Sequence, residues 1–175
     1  MERWRKAPFK IYIQDIFRAK QSENNKYVYE MFGIKFKNVL LHGVVTAVYN
    51  TSERFTNFEL NDPTGTVQVY YNFTKANKHV NAECMKDIVQ SFAKVSRFPD
   101  KDVKTMSFML ERIEKRNSNL NLKKGDYISV LGDIFVDDLK DTRMISGYDC
   151  NVTSIEKDII WMEEMRDIYD RCYLR

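Results

Sequence analysis

Few residues in this 175-residue chain are spaced for catalysis. His42 lies in an apolar, β-branched run and His79 in a polar one, and no HxxxH, CxxC or GxSxG spacing accompanies either. Cys84, Cys150 and Cys172 are isolated and odd in number, which fits a reducing compartment better than a disulfide framework. Asp137, Asp138 and Asp141 crowd one short segment, but the central Gly and terminal Glu of a calcium loop are missing, so a solvated hairpin turn is expected. No glycine loop could cradle a phosphate. The sequence therefore predicts no enzyme, no metal site and no cofactor.

Nucleic-acid binding asks for different residues: aromatic platforms on which bases stack, with scattered basic groups to meet phosphates. The chain has 11 Phe, 10 Tyr and 2 Trp, enough for both a core and a binding face. If Val67, Val69 and Tyr71 point inward along a strand, the period of two sends Gln68, Tyr70 and Asn72 to the other face. The expected nucleic-acid contacts are Tyr49, Arg54, Phe55, Tyr70, Asn72 and Lys75, joined by Arg143 and Tyr148 from a later strand.

Net charge adds little attraction. Lys and Arg number 28 against 25 Asp and Glu, and residues 1–30 hold the whole +3 excess with seven basic and four acidic groups. An anionic partner must then be met by local arrangement. No stretch approaches the roughly 18 consecutive apolar residues of a membrane span, and Met1 to Lys10 lacks the apolar centre of a signal peptide. A soluble, intracellular chain with no membrane partner is expected, which makes the sequons at Asn50, Asn72 and Asn151 incidental.

The elements that must position these residues can be read from periodicity. Lys10 to Phe17 alternates and reads as a strand, followed by a second short run from Tyr27 to Phe32. Asn38 to Asn50 is long, β-branched and interrupted by Gly43, where a missing side chain permits a sharp bend. Phe55 to Leu60 and Val67 to Phe73 alternate on either side of the turn Asn61-Asp62-Pro63-Thr64-Gly65. Residues 38–73 thus predict three antiparallel strands. Val80 to Phe92 is weakly helical in period and Asp100 to Arg116 strongly so, with Val103, Met106, Met109, Leu110 and Ile113 on one face. Strands follow at Asp126 to Val136 and Thr142 to Thr153.

Ser154 to Tyr173 is helical, with capping chemistry at Ser154 and two apolar stripes. Ile155, Ile159, Met162, Tyr169 and Tyr173 form one, and Trp161, Met165, Ile168 and Cys172 the other. One stripe suffices for packing on the chain's own core, so the second suggests either another contact or a helix well buried in its own domain. The predicted class is an all-β barrel with helices: a five-stranded oligonucleotide/oligosaccharide-binding (OB) fold, with a helix between strands three and four and a C-terminal helix. One domain spans 1–175, divided into an extension (1–36), the barrel (38–153) and a dimerisation helix (154–175).

Several segments in order resemble the Stn subunit of the CST telomere complex and, more distantly, the middle subunit of replication protein A. Phe9-Lys10-Ile11-Tyr12-Ile13-Gln14-Asp15-Ile16 is similar to that family's F-x-K-x-Y-I-x-D-I opening. Gly43-Val44-Val45 followed by Asp62-Pro63-Thr64-Gly65 is similar to G-x-V and D-D-S/T-G, and Gly125 to Gly132 is similar to G-D-x-I-x-V-x-G. The resemblance implies telomere-end protection in the nucleus, pairing through the C-terminal helix with a small OB-fold Ten-like subunit, and weak binding of single-stranded telomeric DNA by this chain alone. It further implies a larger telomere-complex subunit and DNA polymerase alpha-primase as partners. Ile159, Met162, Met165, Ile168, Tyr169 and Tyr173 are the expected partner-binding residues. Two stacking positions depart from the family: Asn72 stands where relatives commonly carry Trp, and Asp137 falls near an expected aromatic. At roughly 1–3 kcal/mol per stacked base, both losses would weaken DNA binding by orders of magnitude. The alternatives are an OB-fold protein-interaction module without nucleic acid, or a replication protein A-like middle subunit.

Overall fold

The computed structural model describes residues 3–4, 7–52, 54–72, 120–137 and 141–174, together with 87–88, 90–92, 105–106 and 108–110. Two compact units are present, residues 1–76 with 121–175, and residues 77–120. In the smaller unit the described residues between 87 and 110 are helical, inside the two segments whose period predicts helices. All described strands belong to the larger unit.

The larger unit begins with β1 (Arg3–Trp4), β2 (Phe9–Lys10), helix α1 (Ile13–Arg18), β3 (Lys20–Ser22), β4 (Asn25–Met31) and β5 (Ile34–Phe36). Lys10 to Phe17 is therefore not the strand its alternation predicts. Only Phe9 and Lys10 pair, parallel to Val39 and Leu40, and the chain then turns helical. The physical reason lies 49 residues downstream: an Asp62 carboxylate oxygen accepts from Ile13 N at 2.8 Å and Thr64 Oγ1 from Gln14 N at 3.1 Å. Those two bonds satisfy donors that a helix start leaves open. Ile13 and Ile16, three apart, then share the buried face. The Asp62 turn expected between two strands thus also caps a helix. β1, β5, β4 and β3 form a small separate sheet, in which Phe32 and Gly33, with φ of 54° and 68°, make the two-residue hairpin loop.

The barrel consists of β6 (Asn38–Tyr49), β7 (Phe55–Asp62), β8 (Gly65–Asn72), β9 (Tyr127–Asp137) and β10 (Thr142–Thr153). β6, β7 and β8 run as an antiparallel meander, β8 pairs in parallel with β10, β10 antiparallel with β9, and β9 closes the ring against β6. This is the five-stranded OB barrel expected from the sequence. Closure requires β6 to serve β9 through Val44 and β7 from Val44 onward. Gly43 sits at that handover, where a Cβ would lie 2.2 Å from the Asn61 carbonyl oxygen. Phe58, Leu60, Val69, Ile128, Val130, Ile134 and Ile145 fill the interior, and Phe9, Ile11, Ile13 and Phe36 are buried with them.

Helix α2 (Ile155–Ile168) runs into a π turn, Tyr169–Tyr173. The Ser154 side chain makes no cap bond; its carbonyl instead accepts from Lys157 N. Trp161 and Met165 are buried, whereas Ile155, Ile159 and Met162 are exposed. The two predicted stripes do not continue straight, because the i→i+5 bond from Leu174 N to Tyr169 O widens the last turn. Tyr173 thereby joins the buried side, with its ring 4.7 Å from Phe9 and 5.2 Å from Phe32, and Cys172 is exposed.

Candidate nucleic-acid interface

Inward residues of β7 and β8 are Thr56, Phe58 and Leu60, and Val67, Val69 and Tyr71. The alternation therefore places Phe55, Asn57, Tyr70 and Asn72 on the outer face. Phe55 and Tyr70 stack with centroids 5.7 Å apart and planes at 28°. Asn72 stands directly opposite Phe55 across the ladder. Tyr49 lies opposite Asn57 on the neighbouring strand, its hydroxyl pushed above the ordinary range by burial and, next, by Glu59. Arg54 is exposed in the β6–β7 loop, where its amide donates to Ser52 Oγ. Tyr148 occupies a bulge between Gly147 and Asp149. Burial, then Asp133 and Asp149, push its hydroxyl up to about 12.

Five of the eight predicted contacts, Tyr49, Phe55, Tyr70, Asn72 and Arg54, come from β6, β7, β8 and the loop joining the first two, and Tyr148 comes from β10. Lys75 lies outside the described residues. Arg143 does not share this face. It has the same phase as inward-facing Ile145, and its guanidinium donates to the carbonyl oxygens of Ile16 and, at 2.7 Å, Ala19, while lying 5.2 Å from the Tyr29 ring centre. A cation there caps the C-terminal end of α1, so the expectation of Arg143 on the exposed barrel face is corrected.

Sequence reasoning missed the middle of the outer face. Tyr49, Asn57, Tyr70, Ser146 and Asp133 occupy successive register positions on β6, β7, β8, β10 and β9. No motif marks Asn57, Ser146 or Asp133, and only the register brings them into line. Burial holds the Asp133 carboxyl above the ordinary carboxylate range, against the opposing influence of Lys37.

His42 forms the one arrangement among the described residues that looks like hydrolytic chemistry. Its Nδ1 lies 2.9 Å from Ser129 Oγ and its Nε2 lies 3.3 Å from Asp158 Oδ1. The second contact is at ion-pair distance without hydrogen-bond alignment. The His42 side chain is fully buried, with Trp161 and Tyr127 ring centres 5.5 and 6.5 Å away, so no substrate could reach it. The group is a clasp between α2 and the barrel. Among the described residues no cluster of three or more His, Cys, Asp or Glu could hold a metal.

On α2, Ile159 and Met162 are exposed beside Ile155 and Ile160. Ile168 and Tyr169 are half-buried, and Met165 and Tyr173 are buried against the chain's own core.

No family model and no curated protein matches this chain. Solved structures do. A chain of a replication protein A heterotrimer bound to single-stranded DNA is similar at TM-score 0.58 and 12% identity, over 94% of this chain and 96% of that one. The Stn1–Ten1 complex of S. pombe gives TM-score 0.56 at 11% identity over 95% and 92%. Yeast Stn1 and Ten1 give 0.58 at 10% over 95% and 75%. At these identities the likeness establishes the OB fold.

Proposed function

We propose that this chain is a non-enzymatic OB-fold subunit of a telomere-end complex, which pairs with a small OB-fold Ten-like partner and shares single-stranded DNA with it. The observation that carries the reading is α2. Trp161 and Met165 already hold it to the barrel, yet Ile155, Ile159, Ile160 and Met162 are between 40% and 57% exposed. Anchoring accounts for one face of the helix and leaves a second apolar face for a partner. The similarity to Stn1–Ten1 structures supports an OB-fold partner for that face.

DNA in this reading lies across Phe55 and Tyr70, flanked by Tyr49, Asn72, Tyr148 and Arg54. Glu59 and Asp133 on the same face, with Asp137 and Asp141 at the β9–β10 hairpin, limit phosphate attraction, so affinity is modest for the chain alone. We place the complex in the nucleus at chromosome ends, working with a larger subunit and with DNA polymerase alpha-primase.

Co-expression with a candidate small OB partner, followed by light scattering, tests the assembly. Wild type should elute as a one-to-one complex, and an Ile159→Asp, Met162→Asp double variant as a folded monomer. A wild-type chain that stays monomeric beside every such partner refutes the pairing. The acidic groups on the outer face favour a second reading, an OB-fold protein-interaction module, which predicts no binding of single strands even at low salt.

A further inference from the structure

Among the described residues, nothing satisfies some acceptors of the outer face. Asn57 Oδ1 and Asp133 Oδ1 are buried without a hydrogen-bond partner there, as is the Tyr49 hydroxyl. Native proteins pair nearly all buried polar atoms, because an unmet one forfeits its hydration with nothing in return. A ligand that supplies donors at these points recovers that loss.

The placement narrows the ligand. Asn57 and Asp133 stand in one cross-strand row with Tyr70 and Ser146 between them. Three strand spacings separate them, roughly 14 Å along the sheet, so they meet different nucleotides of one strand. The Tyr70 ring between them, stacked on Phe55, is the platform that would hold bases at that level. An ionised carboxylate only accepts. Cytosine, adenine and guanine each present an exocyclic amino group. Thymine and uracil present one ring N–H flanked by two carbonyl oxygens, which repel a carboxylate.

We infer that Asn57 and Asp133 make this face selective for bases bearing an exocyclic amino group, against thymine and uracil. The inference rests on the nucleic-acid reading above and adds base preference to it. A site built around hydrogen bonds rejects an analogue that leaves its buried groups unpaired.

Fluorescence anisotropy with oligodeoxycytidine and oligodeoxyuridine of equal length, about twelve nucleotides, tests it, since an OB fold covers roughly 4–16 nucleotides. These probes differ at C4, amino against carbonyl, and in the proton that uracil carries on the neighbouring ring nitrogen. Wild type should bind oligodeoxycytidine about tenfold tighter, about threefold from each of the two accepting groups. Asp133→Ala and Asn57→Ala should each bring that ratio down to about three, and Asp133→Glu should restore part of what Asp133→Ala loses. The ratio is the readout because loss of one negative charge strengthens both probes alike. Equal or tighter wild-type binding of oligodeoxyuridine overturns the inference, and so does a ratio that survives both alanine variants. Binding of neither probe at low salt overturns the nucleic-acid reading itself, and this inference with it. Thermal melts identify a variant that fails to fold, in which case the wild-type ratio alone decides.

Discussion

Replacing Arg143 by methionine separates structural from DNA-binding roles for a residue that sequence alone assigns to DNA. The guanidinium donates through one nitrogen to the carbonyls of Ile16 and Ala19, where α1 ends, and lies over the Tyr29 ring. Hydrogen bonds to a charged donor contribute about 1.5–3 kcal/mol each, and a partly desolvated cation–π contact about 1 kcal/mol. Because one nitrogen serves both carbonyls the bonds do not add fully, and about 3 kcal/mol is the expected loss. Methionine keeps the apolar stem against Tyr29, so the change isolates the charge. For a protein of this size the melting temperature should fall by about 6–12 °C. Urea unfolding followed by tryptophan fluorescence reads the same loss as a lower midpoint at unchanged slope. Single-strand affinity of the folded variant should stay within about twofold, since Arg143 faces away from Tyr70. A variant as stable as wild type within about 0.5 kcal/mol, yet crippled in DNA binding, would overturn this structural role and return Arg143 to the binding face.

Further outcomes follow from the same geometry. Burial lowers the His42 pKa, opposed by Asp158 and reinforced by Lys157, so stability is full above the ordinary value of about 6.5 and is lost as pH falls from there toward the lowered one. Melts from pH 7.5 down to about 5 should show this acid sensitivity, and His42→Gln should flatten the part of the slope that His42 contributes. Asp62→Ala removes an acceptor of four bonds, from Ile13 N, Thr64 N, Thr64 Oγ1 and Gly65 N. Its cost should be about 2 kcal/mol in chemical unfolding, with faster amide exchange at Ile13. A Cβ at Gly132 would lie 2.5 Å from the Ser146 carbonyl oxygen, so Gly132→Ala should destabilise by about 3 kcal/mol or more in the same assay. The Ile159→Asp, Met162→Asp variant should melt within about 1 kcal/mol of wild type, because both side chains are exposed.

The barrel strands are legible in the sequence because each is long enough for its alternation to be unambiguous, and Gly43 and the Asp62 turn mark where the ladder must bend and reverse. Lys10 to Phe17 is not, since Ile11 and Ile13 fit a period of two while Ile13 and Ile16 fit a helical i, i+3 pair, and the cap that decides comes from Asp62 and Thr64. On the binding face, Phe55, Tyr70 and Asn72 follow from the inward phase of their neighbours, whereas Tyr49 faces outward only because β6 bulges between Val45 and Ala47 and reverses the phase set by Val39, Leu41 and Val45. Arg143 fails because it lies an odd five residues from Tyr148, a spacing that a period of two sends to the opposite face, and it keeps the phase of inward-facing Ile145. Asn57 and Asp133 carry no local signal, because their significance arises from strand register alone.

Residues 9–15 and 161–173 are tied together by the Tyr169 hydroxyl on Asp15, the Tyr173 hydroxyl on the Lys10 carbonyl at 2.9 Å, and the Lys10–Glu164 ion pair at 2.7 Å. This clasp sets an order of events during synthesis. Phe9, stacked on Phe36, cannot be covered by Tyr173 until some 160 further residues have emerged, which at roughly 5–20 residues per second leaves an aromatic surface open for about ten seconds or more. The nascent chain is most prone to aggregation in that interval. Rapid capture of the emerging C-terminal helix, by its own barrel or by a partner, ends it.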